Sequence, residues 1–122
     1  MSLDTTTDDA FAQDVLASQI PVLVDFTASW CPPCVMIAQV LARIATDEAD
    51  RLRVVSLDVD ANPIVTSKYR VMGMPTLALF VDGEVVVQFM GAKPRAAIMA
   101  QLQPHLLASA TSVGGSVSAR QE

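Results

Sequence analysis

Residues 22–35 read VLVDFTASWCPPCV. Val22 to Thr27 is short, rich in β-branched residues and apolar on both alternating faces except at Asp25 and Thr27. That pattern is expected of a central parallel strand covered by helices on each side. A brief turn leads to Trp30, Cys31, Pro32, Pro33 and Cys34. From there Ile37, Ala38, Leu41, Ile44 and Ala45 recur at spacings of three and four, while Gln39, Arg43 and Asp47 make a polar stripe. This is an amphipathic helix. A strand that ends in paired thiols at the start of a helix points to dithiol chemistry.

Outward from this stretch, the opening residues are polar as far as Thr7 and leave room for only a short edge strand. Thr7, Asp8 and Asp9 suit a helix start, because a side-chain oxygen accepts from free N–H groups and acidic residues favour the positive helix end. Phe11, Val15 and Leu16 would form that helix's apolar face. Leu52 to Val59 is the next strand, and Asn62–Pro63 caps and opens a short helix through Tyr69. Thr76 to Val81 and Val85 to Phe89 are two strands joined by Asp82–Gly83, a strong short hairpin signal. Gly83 is therefore a structural residue. A last helix follows Pro94, with Ile98, Leu102 and Leu106 along one side, and Pro104 should shorten or kink it. The elements combine into an α/β fold, a mixed sheet with helices on both faces. One domain over residues 1–108 is expected, followed by a flexible tail over 109–122, where the sequence turns small and polar with a Gly pair.

Composition narrows the function. With 122 residues, 52% hydrophobic and 17% charged, the chain is one folded domain. The net charge of −5 and the scatter of its 8 Lys and Arg argue against a nucleic-acid partner. No apolar run reaches membrane-spanning length, so no membrane partner is expected. The start, MSLDTTTDDAF, has neither the basic residues nor the apolar stretch of a secretory signal, which points to the cytoplasm. A reducing cytosol disfavours a permanent structural disulfide, so two cysteines at this spacing are catalytic or metal-binding. A structural zinc needs four ligands, and His105 is the one plausible nitrogen donor; no metal and no cofactor beyond the cysteine pair are expected.

Cysteines three apart at a helix start share a face, with β-carbons roughly 5–6 Å apart in an ideal helix against roughly 3.5–4.5 Å in a disulfide. Small local adjustments therefore close or open the bond. The thiolate is the attacking species, and lowering a thiol pKa from roughly 8.5 to roughly 7 raises its ionised fraction at pH 7 from about 3% to about half. The free N–H groups and dipole of a helix N-terminus act in that direction.

WCPPC, with Asp25 before it and Gly73-Met74-Pro75-Thr76 after it, resembles the thioredoxin family, whose usual active site reads WCGPC. The likeness reaches nearly from end to end. It implies the thioredoxin fold, with a sheet of about five strands, and a thiol–disulfide oxidoreductase that reduces protein disulfides. By that resemblance Cys31 is the exposed nucleophile and Cys34 the buried resolving thiol. Cys31 attacks a substrate disulfide, and Cys34 then attacks Cys31 to release the reduced product. Asp25 is identified with the family's buried aspartate beneath the resolving cysteine, where it accepts the Cys34 proton, and burial should raise its pKa. The Met74–Pro75 bond is implied to be cis. Met74's main chain would then pair with an extended substrate segment, and Trp30, Pro32, Met72, Met74, Pro75, Gly91 and Ala92 would line a shallow apolar groove. Pro33, kept from the family motif, is a structural residue. The implied partners are disulfide-containing proteins and an NADPH-linked thioredoxin reductase, with the chain acting as a monomer.

The chain departs from the family pattern at several points. Pro32 replaces glycine, so neither residue between the cysteines has an N–H, and the donors left for a Cys31 thiolate are those of Cys34 and Val35. Val35 and Ser56 stand where many relatives carry lysine. Thr27 replaces a tryptophan, which lightens packing behind the active loop, and Gln39 replaces a proline that kinks the following helix. Other roles remain open: a dedicated electron donor, a more oxidising oxidase or isomerase, or a non-catalytic interaction module. Fewer donors and one lost positive charge should leave Cys31 less acidic than in a WCGPC protein. The double variant Pro32→Gly/Val35→Lys is expected to lower the Cys31 pKa, read from alkylation rate against pH; an unchanged profile would refute the account.

Overall fold

The computed structural model describes residues 3–106, so the tail expected over 109–122 lies outside the described residues. Five strands form one sheet in the order β1-β3-β2-β4-β5: β1 (Asp4–Thr5), β2 (Val22–Thr27), β3 (Arg53–Asp58), β4 (Thr76–Val81) and β5 (Glu84–Met90). β1 and β2 pair parallel to β3, whereas β4 runs antiparallel to both β2 and β5. The mixed sheet and the short first strand match the sequence reading. β2 is hydrogen-bonded on both edges and has apolar residues on both faces, so it lies at the centre of the molecule.

The alternation of β2 sorts the core into two layers. Val22, Val24 and Phe26 join Val55, Leu57, Ala78 and Phe80 on one face. Leu23 joins Val54, Leu77 and Leu79 on the other, beneath Ile37, Leu41 and Ile44 of α1 (Pro32–Asp47) and Ile98 and Leu102 of α3 (Arg95–Leu102). α1 is continuous over 16 residues, in line with the absence of a proline at Gln39. α3 ends where Pro104 removes a donor, and the chain tightens into a 3₁₀ turn over Gln103–His105.

The N-terminal segment departs from expectation. Thr7 does accept a hydrogen bond from the Ala10 N–H (3.1 Å). The helix it opens, however, is reduced to one widened turn, Ala12–Leu16, in which the Ala17 N–H reaches back to the Ala12 carbonyl (2.9 Å). The wide turn lets Phe11 and Val15 both reach the sheet before β2 begins at Val22. Phe11, Tyr69 and Phe80 meet there edge-to-face or tilted, with centroids 5.1–5.8 Å apart. The hairpin is as read: Asp82 (φ 52°) and Gly83 (φ 82°) both take the left-handed conformation that a two-residue turn of this hand requires. A Cβ at Gly83 would also meet the Leu16 carbonyl oxygen at 3.1 Å.

The capping of α2 (Pro63–Lys68) also differs from the sequence reading. Asn62 occupies the cap position, but its side chain makes no capping bond. Instead its Oδ1 accepts from the Asp8 N–H (2.8 Å), and the Asp8 carboxylate accepts from the N–H groups of Ile64 (3.1 Å) and Val65 (2.9 Å). A residue 56 positions earlier thus satisfies the free donors of this helix and places a negative charge at its positive end. Asp8→Ala should cost about 1–2 kcal/mol, the range of a lost helix cap, measured by chemical denaturation. A loss below about 0.3 kcal/mol would show that the strap is ornamental.

Candidate functional site

The end of β2 and the start of α1 bring the two thiols together. Cys31 is the N-cap of α1, with extended backbone (φ −105°, ψ 104°), and Pro32 and Pro33 fill the first helical positions, where a missing N–H costs nothing. Cys31 and Cys34 are joined in a disulfide, with their Cα atoms 5.3 Å apart. The Cys34 N–H lies 3.2 Å from Cys31 Sγ and 3.1 Å from the Cys31 carbonyl, and the Val35 N–H lies 3.2 Å from the same carbonyl. Of the two donors expected to remain, only Cys34's is aimed at the sulfur in this oxidised form.

One expectation needs correcting. Cys31, read as the exposed thiol, is only 4% exposed here, close to the 2% of Cys34. In this disulfide form both cysteines pack against the layer that contains Phe26 and Ala28, which accounts for their low exposure.

Asp25 lies on the α1 side of β2, in register with Ser56 on β3 and Leu77 on β4. It is 2% exposed, and its Oδ1 has no hydrogen-bond donor. Desolvation pushes its pKa from 3.8 up to about 7. Ser56, the neighbour in register, carries no charge to oppose that shift. A pocket of about 540 Å³ opens at Ser56, the register neighbour of Asp25, and is lined in part by Thr27, Cys34, Val35 and Ser56 itself. Three of those positions are ones where the sequence departs from the family pattern toward a smaller side chain. Thr27 and Ser56 bring hydroxyl groups to the same lining as the disulfide-bonded Cys34.

On the other side of the dithiol, the Met74–Pro75 bond is cis. Met74 packs against the layer that contains Cys31, and it precedes the first ladder residue of β4, Thr76. The Gly91 N–H donates to the Pro75 carbonyl (2.8 Å), and Thr76 Oγ1 donates to the Gly73 carbonyl (2.6 Å), so Pro75 and Gly91 are tied together as one support. Gly91 takes φ 110°, open to glycine. Trp30 is 62% exposed, and its Nε1–H donates to Asp60 Oδ2 (2.7 Å).

Sequence reasoning missed two participants. Asp60 orients Trp30 from 30 residues away, and it is itself placed by an Asx turn in which its N–H donates to Asp58 Oδ1 (2.9 Å). Asp-x-Asp was the available signal for the turn, though nothing local linked it to Trp30. Met90 is the second, with its sulfur against the backbone of Gly73. Among the described residues no group of three His, Cys, Asp or Glu is placed to hold a metal ion, and His105 stands at the far end of α3. Among them, too, no helix is long and apolar enough to cross a membrane.

Comparison with known proteins agrees with this geometry. The family model described as Thioredoxin matches residues 2–104. A thioredoxin of Mycobacterium tuberculosis is 52% identical over 96 residues, covering 79% of this chain and 83% of its own. A thioredoxin of Mycolicibacterium smegmatis is 48% identical over 102 residues, covering 82% and 91%. A bifunctional thioredoxin reductase/thioredoxin of Mycobacterium leprae is 47% identical over 96 residues, covering 79% of this chain and 21% of that longer protein.

The buried Asp25 makes stability depend on pH. Its folded-state pKa of about 7 lies above the ordinary 3.8, so the native state holds a proton that the unfolded chain releases between these values. Its contribution is fully present below about pH 4 and is lost as pH rises through 7. Asp25→Ala should therefore gain on the parent protein as pH rises from 4 to 8, by about 2–4 kcal/mol in denaturant unfolding of the disulfide form. A difference independent of pH would overturn the assignment.

Proposed function

Because the chain belongs to the thioredoxin family and is a thiol–disulfide oxidoreductase that reduces protein disulfides, we propose roles for its individual residues. Cys31 of the reduced protein is the nucleophile. Its sulfur sits at the helix N-terminus, where the Cys34 N–H is already 3.2 Å away and can hold a thiolate. Attack on a substrate disulfide forms the Cys31 mixed disulfide and expels one substrate thiolate. Cys34 then attacks Cys31, releases the second substrate thiolate and restores the bond seen here.

Asp25 accepts the Cys34 proton as that thiol becomes a nucleophile. A carboxyl poised near pH 7 exchanges protons in either direction at working pH, and the pocket bounded by Cys34 and Ser56 gives the proton a way out to solvent. Trp30, Pro32, Met74, Pro75 and Gly91 form the substrate groove, a reading supported by the exposed Trp30 ring, by Met74 packed against the layer that contains Cys31 and by the Pro75–Gly91 hydrogen bond. An extended substrate segment pairs with the Met74 main chain ahead of β4. Pro33 and Gly83 serve structure, one at the helix start and the other in the hairpin.

Electrons come from an NADPH-linked thioredoxin reductase, a reading supported by the joining of reductase and thioredoxin in the Mycobacterium leprae relative. No metal or other cofactor is required by this chemistry. The protein acts as a monomer in the cytoplasm, where a reducing pool keeps such a dithiol available.

The observation that carries the reading is the closed Cys31–Cys34 bond at the head of α1, the helix whose side of β2 also holds the buried carboxyl of Asp25. Insulin reduction driven by NADPH and a thioredoxin reductase tests it. Cys31→Ser should abolish turnover, and Cys34→Ser should accumulate a mixed disulfide through Cys31. Asp25→Ala should slow resolution of that intermediate more than its formation, by about tenfold or more at pH 7. Equal slowing of both steps would remove Asp25 from the proton path, and activity in Cys31→Ser would remove the dithiol mechanism.

A further inference from the structure

Four of the five methionines in the described residues, Met36, Met72, Met74 and Met90, lie on α1, on the loop before β4 and at the end of β5, and Met74 packs against the layer that contains Cys31 and Cys34. Met72 is 90% exposed, Met36 72% and Met90 59%, and of these Met72 and Met90 flank the Gly73–Met74 loop. The fifth, Met99, is partly buried against the core layer under α3. Met72 and Met90 line one small pocket of about 220 Å³ with Arg70 and Gln88. Met90 also carries its sulfur directly against the main chain of Gly73, since a Cβ there would lie 2.6 Å from Sδ. Gly73 joins Met72 to Met74, so one thioether touches the loop that presents the groove and a second stands fully in solvent beside it.

An exposed thioether is an oxidisable group, and its sulfoxide is polar where the sulfide was apolar. We propose that Met72 and Met90 are a peroxide-sensitive modification site whose oxidation weakens docking of protein substrates and leaves the dithiol chemistry intact. The inference rests on the reading of the groove given above. Each sulfur attacks one oxygen of hydrogen peroxide and gives up two electrons as the O–O bond breaks. The sulfur keeps that oxygen as sulfoxide, and the released hydroxide takes the remaining proton and leaves as water. A methionine sulfoxide reductase reverses the change, with the oxygen leaving as water and two thiols of the reductase becoming a disulfide. The new oxygen on Met90 has no room on the side that faces Gly73, and it brings a strong acceptor to the apolar rim.

Peroxide treatment of the disulfide form, in which both cysteines are protected, tests this. Peptide mass mapping should find one added oxygen on Met72 and Met90 at exposures that leave Met99 unmodified. After removal of peroxide and reduction by dithiothreitol, the second-order rate constant with insulin should fall about three- to tenfold, while that with bis(2-hydroxyethyl) disulfide changes by less than about twofold. Methionine sulfoxide reductases should restore the insulin rate. The Met72→Leu/Met90→Leu protein, compared with itself before and after peroxide, should keep its rate. Oxidation of Met99 in step with the other two, an unchanged insulin rate, or an equal loss in the double-leucine protein would overturn the proposal. Failure of the groove reading would show separately in untreated protein, where Trp30→Ala and Met74→Gly would leave the insulin rate unchanged.

Discussion

The pairing of β2 along both edges is the constraint from which the rest of the molecule follows. Ladder bonds to β3 and β4 leave this strand no freedom to slide, and a slip of one residue would exchange Leu23 and Asp25 with Val24 and Phe26 across the sheet. The register therefore decides that Asp25 faces α1, two residues from the strand end and beneath the helix that carries Cys34. It also decides where the chain leaves the sheet, and so where Cys31 begins the helix. The position of the disulfide at the tip and the burial of a carboxyl in the strand are both consequences of one strand held in place.

Asp25 illustrates how a fold retains a group that works against its stability. The carboxyl sits buried in register with Ser56 and Leu77, with an unpartnered Oδ1, and desolvation brings its pKa near neutrality. A lysine at position 56 would favour the charged form; Ser56 does not. A valine at 35 and a threonine at 27 leave open space on the same side, so the pocket next to Cys34 is the joint result of three small side chains. Burial sets the proton affinity of Asp25.

The opposite side of the site is built by contacts across long stretches of chain. The Pro75–Gly91 hydrogen bond joins the cis-proline loop to the end of β5, and Met90 braces Gly73 from the same strand. On the far face, Asp8 caps α2 and Asn62 returns a bond to Asp8, which fastens the N-terminal turn to a helix about 56 residues later. The edge-to-face contacts of Phe11 and Tyr69 with Phe80 close the same seam. The exposed thioethers of Met72 and Met90 give this rim side chains that adapt readily in shape.

By itself, the sequence determined what local pattern and residue chemistry can specify. The β-branched run at 22–27 needed no tertiary information to be a strand. Neither did the period of α1, the left-handed turn at Asp82–Gly83, nor the dithiol spacing of Cys31 and Cys34, because each depends on neighbours a few residues apart. The tertiary structure decided what depends on distant partners. It reduced the N-terminal helix to one wide turn, because Phe11 and Val15 had to reach the sheet together. It replaced the expected Asn62 cap with Asp8, whose carboxylate arrives from another part of the chain. It folded Cys31 inward, set Asp60 under Trp30 and placed Met90 against Gly73. Such pairings become visible only when burial and strand register bring separated residues within hydrogen-bond or van der Waals reach.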